Sequence, residues 1–147
     1  MSLRSQILND LKEAMKNKDK ETLSVVRMIK GAIQLEEIDK KRELNDDEVI
    51  SVVSKQIKQR KDANIEFEKG DRQDLIDKNN NEISILNRYM PEQLDSDEVE
   101  KIIDEKIKEL NIESIKEMGI LMKNLTPILK GKTDMSMVSA IIKDKLN

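Results

Sequence analysis

The chain of 147 residues contains no cysteine, no histidine and no tryptophan, and only one phenylalanine, one tyrosine, two prolines and four glycines. Without cysteine there is no disulfide framework, and nothing implies an oxidising compartment. Cysteine nucleophiles and histidine-based triads are excluded, as are zinc sites built from those residues. Carboxylates alone could hold a metal, and no D-x-D-x-D-G loop is present, so no metal or cofactor is expected. No apolar run approaches the roughly 18 residues of a membrane span. The opening MSLRSQILNDLKEAMKNK is amphipathic and mixed in charge, unlike a signal peptide. A soluble cytoplasmic protein with no membrane partner is the expectation.

What the chain does contain is charge and branched aliphatics. Charged residues make up 39% and the net charge is −3. Leu, Ile, Val and Phe together number 41 of the 147 residues, above the roughly 20% level below which charged chains stay disordered. The chain should therefore fold around a lean aliphatic core.

Apolar residues recur every three or four positions, the helical period, and alternating β-branched runs are missing. The first stripe is Leu3, Ile7, Leu11, Ala14 and Met15. Asp19 is suited to cap a second helix carrying Leu23, Val26, Ile29, Ala32, Ile33 and Ile38. Asn45 with Glu48 reads as a capping box for a third, lined by Val49, Val53 and Ile57. Asp46, Asp47 and Glu48 suit the positive end of that helix dipole. Beyond Ile57 the stripe fades, and the helix should project past its support to end near Gly70 as a C′ residue. A fourth helix from Asp71 carries Leu75, Ile76, Ile83, Leu86, Tyr89 and Met90, and Pro91 stops it.

The segment PEQLDSDE reads as a joint. After it, Ser96 is the expected cap for Val99, Ile102, Ile103, Ile107 and Leu110. Ser114 and Glu117 form an S-x-x-E box before Met118, Leu121, Met122 and Leu125. Pro127 should end or kink that helix. Asp134 then caps a last one bearing Met137, Val138, Ile141, Ile142 and Leu146. The expected fold is all-α, with a four-helix N-terminal domain over residues 1–92 and a small three-helix domain over 95–147.

No catalytic constellation stands out. The thirty acidic residues read mostly as solvated helix faces. Gly131-Lys132-Thr133 resembles the tail of a phosphate-binding loop, but position 126 is Thr where the leading Gly belongs, and no strand precedes it. Met118, Met122, Met135 and Met137 read as flexible core filler, or as an adaptable partner surface.

Two basic clusters are the binding candidates. One is Lys123, Lys130 and Lys132 with Gly131; the other is Lys55, Lys58, Arg60 and Lys61, where Asp62 and Glu66 offer i,i+4 partners. Residues 112–147 hold six basic and four acidic residues, the one sizeable stretch that leans positive. Aromatic stacking platforms are missing, so any RNA would be met through its shape and backbone. Gly131, just past a helix end and free of a Cβ, should take a positive φ.

Several long stretches resemble the YqeY family along nearly the whole chain. They are LSVVRMIKGAIQLEE at 23–37, KQIKQRKDANIEFEKGDRQDL at 55–75, ILNRYMPEQLDSDEVEKII at 85–103, MGILMK at 118–123 and KGKTDMSMVSAIIKDKL at 130–146. The last two are also similar to the tail domain of GatB, the B subunit of the glutamine-dependent amidotransferase that corrects mischarged glutamyl- and aspartyl-tRNA.

The resemblance implies an all-helical bundle followed by a small helical domain. It implies tRNA contact through Gly131, Lys132 and the helix from Met135. Carbon–nitrogen ligase chemistry with glutamine as amido-nitrogen donor attaches to this chain by family association alone, because nothing here matches the catalytic domain of GatB. Two readings follow: a non-catalytic tRNA- or RNA-binding module, and a protein–protein adaptor of the translation machinery. The second draws on the fading stripe at 58–70 and the methionine-rich last third. The sequence names neither the partner nor the oligomeric state.

Overall fold

The computed structural model describes residues 2–147. Among these residues there are seven α-helices and no β-strand. They are α1 (Leu3–Lys16), α2 (Lys20–Lys40), α3 (Asp46–Lys69), α4 (Gln73–Asn87), α5 (Ser96–Glu109), α6 (Met118–Leu129) and α7 (Met135–Leu146). The all-α expectation is met. A short 3-10 turn, Ile115–Glu117, precedes α6. The chain divides into two compact units, one up to Met90 and one from Pro91 to Asn147. Among the described residues no helix is long and apolar enough to cross a membrane.

In the first unit α1 to α4 close on Ile7, Val25, Val26, Ile29, Ile33, Val49, Val53, Ile57, Ile85, Leu86 and Tyr89. The stripes read from the sequence supply most of this core. Met15 and Ile38 do not: they are 54% and 74% exposed. The Tyr89 hydroxyl donates to Asp10 Oδ2 at 2.6 Å. Burial first, and then this bond, push the phenol well above its ordinary value.

Polar groups close the helix ends. Asp19 accepts from the Thr22 N–H. Asn45 and Glu48 form the full capping box. Asp46 reaches over to accept from the Leu3 N–H at 3.0 Å, so the first residue of α3 caps α1. Arg4 makes a two-pronged bond to Glu37, and Glu37 also accepts from the Leu44 N–H.

The end of α3 differs from the sequence reading. Gly70 has φ −89°, and the left-handed residue is Asp71, at φ 55°. Asp tolerates that conformation better than most residues. α4 starts only at Gln73. Nor does α3 project unsupported. Arg60 is 8% exposed, its Nε donating to Glu82 Oε2 of α4 at 2.9 Å. One turn on, the Asn79 amide donates to Asn64 Oδ1, and the Asn64 amide to Asn80 Oδ1. The stripe fades because the α3–α4 seam turns from aliphatic to polar there.

The second unit packs Val99, Ile103, Ile112, Leu121, Leu125, Leu129, Val138 and Ile142. Its cap is Asp95 rather than Ser96: Asp95 and Glu98 make the capping box, and Ser96 is the first helical residue. Ser114 accepts from the Lys116 N–H, and Glu117 reaches back to the Glu113 N–H. The box is thus drawn into a 3-10 turn. Met118, Met122, Met135 and Met137 lie partly buried against the core.

Two outcomes test this account. Replacing Arg60 with Met leaves the largely covered Glu82 unpaired, and should cost about 3 kcal/mol in urea unfolding, the low end for a buried pair. Adding Glu82→Leu should restore most of that loss. Separately, Glu37 and Glu48 are both held below the ordinary carboxylate range. The cause for Glu37 is chiefly the bond from Arg4, and for Glu48 chiefly the bond from Arg42 and then that from Lys40. A lowered folded value gives stability that is complete above the ordinary glutamate value of about 4.3 and lost as pH falls through the folded values. The urea midpoint should therefore drop as pH is lowered through that range, and less steeply in Glu37→Gln.

Candidate nucleic-acid interface

The Lys123–Lys132 cluster is built on the turn that follows α6. The helix closes with the Lys130 N–H donating to the Thr126 carbonyl at 2.9 Å. Lys130 then has φ −59° and ψ 127°, Gly131 has φ 80°, and the Lys132 N–H donates to the Leu129 carbonyl at 2.9 Å. These are the angles and the hydrogen bond of a type II turn, whose third residue needs a positive φ that glycine adopts without steric cost. Gly131 takes the conformation expected of it.

Segment 91–94 fastens the same turn from the other side. Gln93 Nε2 donates to the Gly131 carbonyl at 2.7 Å and to the Pro91 carbonyl at 2.9 Å. The Leu94 N–H donates to the Lys132 carbonyl at 2.9 Å. What reads in sequence as a joint is a strap bonded to the turn. Beyond the turn, Asp134 accepts from the Ser136 N–H and starts α7.

Pro127 does not end α6; the helix runs through it to Leu129. The missing N–H falls in the last turn, where one lost bond to the Lys123 carbonyl is tolerated. Lys123 is exposed on the same helix, and Lys130 and Lys132 are exposed on the turn. Among the described residues none of these three lysines enters an ion pair. Lys145 contrasts with them: it lies 2.9 Å from Glu100 and 2.8 Å from Asp104, so its charge is already matched. The chemistry on offer is a fixed backbone carrying three uncommitted cations. Among the described residues there is no group of three or more His, Cys, Asp or Glu residues that could hold a metal.

The second basic cluster does not hold together. Lys55, Lys58 and Lys61 are exposed on α3, but Arg60 is turned inward to Glu82. The i,i+4 partners expected at Asp62 and Glu66 are not used by it; Glu66 faces Lys69 instead. A signal was present. Position 60 continues the core stripe Val49, Val53, Ile57, and a charged residue on such a stripe calls for a buried partner.

The turn can be tested by itself. Gly131→Ala forces a Cβ into the left-handed region and should destabilise the protein by about 1–2 kcal/mol. Gln93→Ala, which removes one bond to the turn, should cost about 1 kcal/mol. Thermal denaturation of both variants checks this; a neutral Gly131→Ala would contradict the turn geometry.

Comparison with known proteins identifies the family. The model of the Yqey-like protein family matches residues 4–146. A Kluyveromyces lactis protein named Altered inheritance of mitochondria protein 41, mitochondrial, is 42% identical over 81 residues, 54% of this chain and 44% of that protein. The Saccharomyces cerevisiae protein of the same name is 36% identical over 107 residues, 72% of this chain and 57% of that one. An uncharacterized protein of Schizosaccharomyces pombe is 31% identical over 91 residues, 62% of this chain and 74% of its own length. The chain thus spans about half the length of the two mitochondrial relatives. With a family match running nearly from end to end, this chain belongs to the YqeY-like family.

Proposed function

We propose that this protein is a non-catalytic RNA-contacting module whose C-terminal unit touches tRNA through Lys123, Lys130 and Lys132. One observation carries the reading: the three lysines are unpaired and exposed, Lys123 on α6 and the other two on the turn that follows it, whose backbone is fixed by its own hydrogen bond and by the 91–94 strap. A rigid base with free ammonium groups suits sugar–phosphate contacts that follow shape and carry no base readout. The resemblance of residues 118–123 and 130–146 to the GatB tail points to tRNA and to a link with tRNA-dependent amidotransfer. The chain itself supplies none of that chemistry. The cytoplasmic setting belongs to this proposal; two relatives carry mitochondrial names.

The adaptor reading finds less support. Within the 58–70 stretch Arg60 and Asn64 are engaged by α4, and the four methionines lie against the second core.

Fluorescence anisotropy of labelled tRNA over a salt series tests the proposal. Three lysines neutralising two or three phosphates should give a log–log slope of roughly −2 to −3. The triple variant Lys123→Ala, Lys130→Ala, Lys132→Ala should lose at least tenfold in affinity and flatten the slope. Equal affinity and slope in the variant would reject this site. Glutamine, ATP, Mg²⁺ and mischarged tRNA incubated with the protein alone should yield no amidated product.

A further inference from the structure

α2 carries a second apolar stripe on the side away from the core. Thr22, Val25, Val26, Ile29 and Ile33 are its buried positions. At about 100° per residue, Ser24, Met28, Gly31, Leu35 and Ile38 fall on the opposite side. They alternate four and three apart, the spacing of the seam that one helix offers another. Leu35 and Ile38 are 72% and 74% exposed; Met28, at 44%, lies at the edge of the stripe, where its sulfur accepts from Arg60 Nη2 of α3 at 3.7 Å. A Cβ built on Gly31 would meet nothing within 4 Å. The centre of the stripe therefore admits close approach of a second backbone, with large side chains on either side of it.

The charges bordering the stripe select the occupant. Glu21 and Asp39 lie along one flank. Lys20, Arg27 and Gln34 lie along the other, and Lys41 follows just past the helix end. Among the described residues none of these charged groups forms an ion pair. Two copies of α2 packed antiparallel would set like flanks together, with Glu21 of each beside Asp39 of the other. Packed parallel and in register, each flank meets its opposite: Glu21 comes level with Lys20 of the second copy, and Asp39 with Lys41. Opposite charges at such flanking positions set orientation and partner choice.

We propose that the protein self-associates through α2, parallel and in register, along Met28, Gly31, Leu35 and Ile38. Three large side chains fall short of the roughly 800 Å² per partner of a standard interface. The dimer is accordingly weak, with a dissociation constant on the order of tens of micromolar.

The absence of cysteine makes the test clean. In a parallel pair every seam residue faces its own counterpart, so Gly31→Cys and Leu35→Cys should each form a disulfide-linked dimer under glutathione oxidation. In an antiparallel pair centred on Gly31, only the first would. Sedimentation equilibrium of the unmodified full chain should show a monomer–dimer equilibrium across the micromolar range. The double variant Leu35→Asp, Ile38→Asp should weaken it at least tenfold while leaving the circular dichroism spectrum unchanged. Three results would each overturn the proposal: a strict monomer up to sub-millimolar concentration, linkage of Gly31→Cys alone, or a dimer unaffected by the double variant. A monomer whose α2 face binds a different protein would do so as well.

Discussion

Aliphatic burial has to hold both units, because the chain has almost nothing else to use. No disulfide is available, and Tyr89 is the one aromatic side chain in either core. Most of the work falls to Ile, Val and Leu, and the first two are indifferent helix formers. Each helix therefore depends on packing for its existence, and its ends have to be closed by side chains. Asp19, Asn45, Asp95 and Asp134 each do this at an N-terminus. Asp46 does it for a helix other than its own, and so joins α1 to α3. Where aliphatics run out, along the far half of the α3–α4 hairpin, the Arg60–Glu82 pair and the asparagines replace them.

The same economy shapes the candidate RNA surface. Leu129 is fully buried, and the chain turns back immediately after it. The type II turn makes that reversal in two residues, and the 91–94 strap satisfies the carbonyls of Gly131 and Lys132. Those two carbonyls are thereby occupied internally, and the side chains of Lys130 and Lys132 remain to meet a ligand. Free ammonium groups on a fixed frame give contacts that screen with salt and follow phosphate spacing. That is what a module without aromatic stacking platforms has to offer a folded RNA.

Much of the architecture was legible in the sequence, and the failures share a physical origin. Periodicity located all seven helices, and the caps at Asp19, Asn45 and Asp134 were plain from residue type and spacing. What periodicity does not show is which polar residue turns inward. Arg60 reads as part of a basic cluster until Glu82, 22 positions away, is brought against it. Gly70 reads as the left-handed residue, yet Asp71 takes that role, because the helix runs one position further than the pattern expected. Ser96 and Asp95 are both good caps, and the capping partner at Glu98 selects Asp95. In the candidate site the glycine conformation was legible. The strap was not, since a bond between Gln93 and Gly131 leaves no local mark.

The most direct test of the central claim is a residue-resolved one. Titrating unlabelled tRNA into the ¹⁵N-labelled full chain and following amide shifts reads the surface that meets RNA without any substitution. The account predicts shifts concentrated at residues 123–133, Gly131 among the largest, and fading as salt is raised. Shifts confined to Lys55, Lys58 and Lys61 on α3, or none at all, would contradict it.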